Sequence, residues 1–414
     1  MRILHTSDWH LGKMLLDTRR TEEYEKFLAW LLGVIKEQGI DVLLVSGDIF
    51  DTTTPSATAK KQYCDFLAQA SEAGCRQVVI TAGNHDSMAQ LEVEQSLLRR
   101  MNVRVVSSLT RERAAECLVP VGDELLVCAV PFLRPEVARA VSADDEAARQ
   151  TAYTDGVADV LAEVARLAEE WKQAHPAGRV ICMAHQAVVG AVPTSSTRSL
   201  IGTLDVLPAT AFPAVFDYVA LGHIHKCYAL QAGRMHYSGS PLPMATDEGD
   251  IEHCMLMTEP AADGGFAVET LTVPAFTKMV NRRIATREEA DALARECRRR
   301  VAEHPEVPLW LNLEYTGADL TQAELRACLR EQLEETAVPV IVVRKAAKTP
   351  LFSGGGSEHA VTETLADYSP ERVFKMRLNQ YEEQNGAFSP EKRELLIKMF
   401  EEVCHLATPV EHEN

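Results

Sequence analysis

The chain has 414 residues, 46% hydrophobic and 25% charged, enough for two or three domains with real cores. Its 42 Lys and Arg against 60 Asp and Glu give a net charge of -18. That balance excludes attachment to nucleic acid or anionic membrane through overall charge, but not a local basic track or a site where metal ions supply the positive charge.

In chain order, short apolar runs predict strands at Ile3–His5, Val42–Val45, Val78–Thr81, Leu125–Val130, Val180–Met183 and Tyr218–Leu221. Amphipathic helical patterns lie between them, over Glu22–Lys36, Ala57–Ala73 and Gly156–Ala174. Such alternation predicts an α/β core whose sheets are covered by helices. The stretch from Ala229 to Pro274 adds strands joined by turns, which completes a first domain over residues 1–275.

Composition shifts within "TVPAFTKMV", and residues 276–346 read as a small α+β domain, strand–helix–strand–helix–strand. Both of its helices open on a capping box, Thr286 with Glu289 and Thr321 with Glu324. Gly354, Gly355 and Gly356 mark a linker over 347–360, followed by a helical tail over 361–414. The tail holds two helices, each starting on Ser-Pro. The second carries Leu395, Leu396, Met399, Phe400 and Val403 on one face, to dock on its own chain or on a partner.

Ten cysteines occur without any Cys-x-x-Cys pair, against a zinc ribbon, a thioredoxin-type motif or a disulfide scaffold. With no signal-peptide core and no membrane-length apolar run, the expectation is a reducing, cytoplasmic compartment and no membrane partner.

Five expected strands run into a break of small residues and then into polar groups suited to metal. "LHTSDWH" offers Asp8 and His10, "LLVSGDIFD" offers Asp48 and Asp51, and "VITAGNHD" offers Asn84, His85 and Asp86. "ICMAHQ" offers His185 and "VALGHIH" offers His223 and His225. In open α/β sheets, sites form beyond the carboxyl ends of strands. Residues at i and i+2 of extended chain point the same way, so Asp8/His10 and His223/His225 can each present paired ligands. Carboxylates, an amide oxygen and imidazoles without thiolates suit two six-coordinate ions of the manganese or iron type, not structural zinc. One Asp between two ions would hold them roughly 3.5–4 Å apart, the spacing of two-metal phosphoryl chemistry.

Asp-x-His, Gly-Asp-x-x-Asp, Gly-Asn-His-Asp, a lone His and Gly-His-x-His, in this order, resemble the calcineurin-like metallophosphoesterase superfamily. With "SGDIFD", "DYVALGHIHK" and "YSGSPLP" the chain is similar to the SbcD nuclease subunits of bacterial double-strand-break repair, closely over residues 1–275 and more loosely beyond. The resemblance implies a two-sheet metallophosphoesterase sandwich flanked by helices, with a capping domain and a tail. It implies a first ion on Asp8, His10, Asp48 and His225, and a second on Asp48, Asn84, His185 and His223, most simply manganese. His85 would protonate the leaving oxygen, with Asp86 orienting it through a hydrogen bond, as an activated water attacks phosphorus in line with a departing 3′ oxygen. The implied activities are 3′-to-5′ exonuclease and hairpin or single-strand endonuclease on DNA. The resemblance also implies an SbcC-type coiled-coil ATPase partner and a homodimer through helices near Ala57–Ala73 and Gln90–Arg100; this chain has no phosphate-loop motif, so any ATP dependence must come from elsewhere.

The alternative is a small-molecule phosphodiesterase of the same superfamily. Thr52 after Asp51, and Asp86 where protein phosphatases carry Glu, weigh against the phosphatase branch. A third reading is a scaffold whose main task is to tether an ATPase to DNA. Asp51 either supports the site or caps the "TTTP" turn after it. His5 and His236 fit packing or a place behind the ligands, and Cys182 and Cys227 fit buried thiols. Arg198 lies in a loop that is either solvated or set against DNA.

Overall fold

The computed structural model describes residues 1–93, 95–134, 146–190, 206–249, 251–262, 264–317, 320–334, 336, 338–345, 378, 392–394 and 396–400. The chain forms two compact units, Met1–Ala346 and Ala347–Asn414.

In the first unit, one six-stranded sheet runs in the order Phe266–Thr272, Cys254–Pro260, Ile3–Thr6, Val42–Ser46, Gln77–Thr81, Val103–Val106. Its last four strands are parallel, and the 254–260 strand runs antiparallel beside Ile3–Thr6. The second sheet runs Tyr228–Leu230, Met235–Tyr237, Tyr218–Gly222, Arg179–His185, Leu125–Ala129, Leu118–Val121, with four parallel strands in the middle.

Alternation along Val42–Ser46 separates two cores. Val42 and Leu44 join Ile3, Val79 and the second sheet's Ile181, Met183 and Tyr218 between the sheets. Leu43 and Val45 face the other way, toward Phe27, Leu31, Phe66 and Leu67 of helices Thr21–Gln38 and Ala57–Glu72. The helix Glu146–Ala174 covers the outer face of the second sheet through Val157, Leu161 and Val164. The fold is a sandwich of helix, sheet, sheet and helix, the architecture that the resemblance implies. The 146–174 helix starts ten residues before the expected Gly156, because "EAARQTAYTD" carries little apolar periodicity.

Residues 278–345 build a three-stranded parallel sheet, Lys278–Ile284, Leu309–Tyr315 and Val340–Lys345, with two helices as crossovers. Both capping boxes form, Thr286 with Glu289 and Thr321 with Glu324. A hairpin at Met14–Leu15 and Thr18–Arg19 lies just beyond His10. Its Leu15 and Leu16 pack on Met279, Trp310 and Val340 of this small sheet. Of the tail, the described residues 392–394 and 396–400 are helical; the linker and the first tail helix, bar Leu378, lie outside the described residues. No helix of the described residues is long and apolar enough to cross a membrane.

Candidate metal centre

Parallel strands place their carboxyl ends on one side, and all five polar segments leave from such ends. The first sheet delivers Asp8, Asp48 and Asn84; the second delivers His185 and the His223/His225 pair. The loops are tied to one another: Asp8 N–H donates to the Gly47 carbonyl and His10 N–H to the Asp48 carbonyl, both at 3.0 Å. Ser46 Oγ donates across the sheets to the Ala220 carbonyl at 3.1 Å.

Four ligand candidates, Asp8, His10, Asp48 and His223, have left-handed backbone with φ of 52°, 48°, 52° and 93°. Asp and His tolerate this region better than most side chains do, so residue type suits the turn as well as the chemistry. Glycine serves where even a methyl group has no room. A Cβ on Gly222 would lie 1.9 Å from the Ser46 carbonyl oxygen, and one on Gly83 would lie 2.1 Å from Asp48 Oδ1.

The result is a buried cluster. Donor atoms of Asp8, His10 and His225 lie within 4.8 Å of one another, and so do those of Asp8, Asp48 and His185. Asn84 Oδ1 stands 3.0 Å from both His185 Nε2 and His223 Nδ1. Asp48 Oδ2 lies 3.6 Å from His10 Nε2 and 3.3 Å from His185 Nε2, between the two imidazole groups. All seven expected ligands therefore converge.

The donor set fits divalent cations on a structural test. Both ring nitrogens of His10, a residue 1% exposed, lack a hydrogen-bond partner. A buried polar atom left so costs free energy that a coordinated ion would offset. His185 is oriented likewise: its Nδ1–H donates to the Ser46 carbonyl at 2.8 Å, which turns Nε2 toward Asn84 and Asp48.

Electrostatics agree. Burial works against charge on His185, yet the Asp48 carboxylate holds it up at about 9. Against its own burial, Asp48 is held well below the usual carboxylate range by His185 and His10. Burial and then His185 push His223 down to about 3, so it meets the site as a neutral imidazole.

His85 stands beside this cluster, its ring 4.7 Å from that of His10. Its backbone N–H donates to Asp48 Oδ1 at 2.9 Å, and its Nδ1–H donates to the Asp51 carbonyl at 2.7 Å. The hydrogen bond expected from Asp86 to His85 is absent. Asp86 is fully buried, and its carboxylate accepts the backbone N–H groups of Gly83, Ile49 and Phe50 at 2.8, 3.1 and 3.0 Å. Asp86 thus ties the 83–86 turn to the 48–50 loop and does not reach the reacting side. Burial and then Asp48 raise it to about 6.

Asp51, left open by sequence, belongs to the site. Its carbonyl holds His85, and its Oδ1 lies 2.9 Å from Lys13 Nζ and 3.5 Å from His10 Nδ1. The group His10, Asp51 and His85 also has metal-ligand spacing, but Lys13 and the Asp51 carbonyl already engage two of its members. His5 and His236 pack on Tyr218, His5 through a 3.0 Å bond to the phenol and His236 by stacking. Cys182 is buried in its strand. Arg198 lies outside the described residues.

Three supports escaped sequence reading. Ser7 Oγ donates to Asp8 Oδ2 at 2.5 Å and meets Ser238 Oγ at 2.8 Å, which gives "YSGSPLP" a place behind the ligands. The Ser46 carbonyl orients His185, and no side-chain pattern reports a carbonyl. Glu248, only 1% exposed, places Oε1 3.7 Å from His225 Nδ1, though its "ATDEGD" context reads as a solvated turn.

The sequence pattern of the family "Calcineurin-like phosphoesterase" matches residues 1–227. Among curated proteins, the chain is 33% identical to the SbcD component of the SbcCD nuclease of Escherichia coli (strain K12), over 91% of this chain and 92% of that one. It is 34% identical to the SbcD component of Rhodobacter capsulatus over 66% and 69% of the two chains. It is 32% identical to that of Bacillus subtilis (strain 168) over 60% and 63%.

Proposed function

Since this chain belongs to the calcineurin-like phosphoesterase family, and within it to the SbcD nuclease subunits, it is a phosphoester hydrolase of nuclease type, and we propose that Asp8, His10, Asp48, Asn84, His185, His223 and His225 hold two divalent cations that serve DNA cleavage. The observation that carries this is the placing of Asp48 between the two imidazole groups, with unpartnered buried nitrogens around it. A donor set of carboxylates, amide and imidazoles without thiolate favours manganese.

Bound divalent cations supply charge to a phosphate and lower the pKa of water. The chain's own groups supply the rest. Because a carbonyl can only accept, Nδ1 of His85 must carry hydrogen toward Asp51, which leaves Nε2 as the nitrogen that delivers a proton to the leaving oxygen. Asp48 fixes the His85 backbone and, through it, the distance from ring to cluster.

The partner reading is an SbcC-type ATPase, since the chain lacks a phosphate-loop motif and carries an apolar-faced helical pattern after a glycine joint. A homodimer is supported by Val93, just past the helix Met88–Glu92, and Leu97 of the helix Gln95–Arg100, 74% and 58% exposed. Residues 276–346 are read as the capping domain, with a core of their own around Leu311 and Leu325.

Digestion of a blunt duplex with manganese, labelled at either the 3′ or the 5′ ends, tests this reading, with Asp48→Ala as blank and with and without the ATPase. Loss from the 3′ ends that is absent in the blank and stimulated by partner and ATP is expected. Hydrolysis of a small diester without any DNA cleavage would transfer the chain to the small-molecule branch.

A further inference from the structure

Two cations flank His85, each one residue removed from it. Lys13 Nζ lies 2.9 Å from the carboxylate of Asp51, whose carbonyl holds the His85 ring. Arg134 Nη2 donates at 2.8 Å to the carbonyl of Asp86, the residue after His85. Neither is buried outright, and the Lys13 side chain is 22% exposed. An ammonium has three donors and a guanidinium five, so these anchoring contacts leave others for a ligand. Both anchors belong to the loops that position His85, which fixes the two charges relative to its ring.

We propose that Lys13 and Arg134 form a subsite for the phosphate next to the scissile one, on the leaving-group side. This rests on the reading that the substrate is DNA and that His85 serves a departing 3′ oxygen. A nucleotide that leaves by its 3′ oxygen carries another phosphate on its 5′ oxygen, and that anion passes the residue that protonates the leaving group. The cations of the metal centre neutralise the scissile phosphate; its neighbour needs charge of its own, and an acidic chain must place that charge locally. A small diester has no such second phosphate. The subsite therefore favours a polynucleotide.

The test compares two substrates on the full chain with manganese: thymidine dinucleotide with and without a 5′-phosphate. For the wild type, the added phosphate should raise kcat/KM by about tenfold or more, through KM, as expected for charge-assisted hydrogen bonds. In the Lys13→Gln/Arg134→Gln protein most of that gain should vanish, while Lys13→Arg/Arg134→Lys should keep most of it. Equilibrium binding of both dinucleotides to the His85→Ala protein repeats the comparison without turnover. If the double variant fails to fold, seen as lost manganese binding by calorimetry, Arg134→Gln alone carries the test and should lose a large part of the gain.

Equal kcat/KM for the two dinucleotides in the wild type, or an undiminished gain in the glutamine variants, would overturn the subsite. A wild type that hydrolyses bis(p-nitrophenyl) phosphate but neither DNA nor dinucleotide would instead overturn the DNA reading beneath it.

Discussion

At His85, one ring nitrogen is held by a backbone carbonyl and the other is left to chemistry, while the peptide N–H is taken by Asp48. Loss of the ring should leave the cluster intact, whereas loss of the Asp48 carboxylate removes the group set between both imidazole sets. We expect His85→Ala to keep both manganese ions by calorimetry and to lose cleavage by a factor of about a hundred or more. Asp48→Ala should lose metal binding as well as cleavage. Wild-type rates in His85→Ala would rule out its proton-transfer role. A second prediction concerns acid. Burial, then His236, pushes His5 down from 6.5 to about 3. The unfolded chain therefore takes up a proton below pH 6.5 that the folded chain refuses until about pH 3. Stability from this residue is complete above pH 6.5 and falls as pH drops toward 3, by up to about 1.4 kcal/mol per pH unit. His5→Gln should flatten that slope, read as urea midpoints at pH 4.5 and 7. That the candidate ligands would gather was legible because residue type, order and spacing all bear on metal chemistry. The partner of His85 was not, because Asp86 looks like an orienting carboxylate until its three amide bonds are seen.

Five loops reach one point only because backbone approaches backbone with almost no clearance. At Gly83, any side chain would overlap Asp48 itself. Gly83→Ala should weaken manganese affinity by about tenfold or more and cost about 2 kcal/mol of stability, since the turn must move to admit a methyl group. Calorimetry of binding and chemical denaturation would check both, and unchanged affinity would mean that the turn relaxes freely. The six expected strands all form, each within two residues of its expected ends, because continuous apolar runs bounded by glycine or polar residues have few other uses in a covered parallel sheet. The pattern near Gln90–Arg100 becomes two short helices, Met88–Glu92 and Gln95–Arg100, with Val93 exposed just past the first and Leu97 exposed on the second. The hairpin at residues 14–19 was not legible, because "MLLDTR" is too short to show alternation and its turn rests on Leu16 and Asp17 at φ of 51° and 58°.

The unit Met1–Ala346 contains both sheets, the metal centre and the small parallel sheet, with Leu15 and Leu16 linking that sheet to the segment after His10. A chain ending at Ala346 should therefore retain metal-dependent hydrolysis of a small diester to within about twofold, since all the proposed ligands belong to that unit. It should lose stimulation by the ATPase, and stimulation that survives truncation would place the partner's contact elsewhere. The whole-molecule topology also dictates when the protein becomes a nuclease. The strand Ile3–Thr6, which leads to Asp8 and His10, lies between Val42–Ser46 and Cys254–Pro260, so its second neighbour is made last. A ribosome adding about 5–20 residues per second needs roughly 10–40 seconds to pass from the first of these partners to the last. For most of that interval the earliest of the proposed ligands exist without His223 and His225, and a nascent chain cannot assemble the cutting centre. Synthesis itself thus delays activity until the sandwich can close.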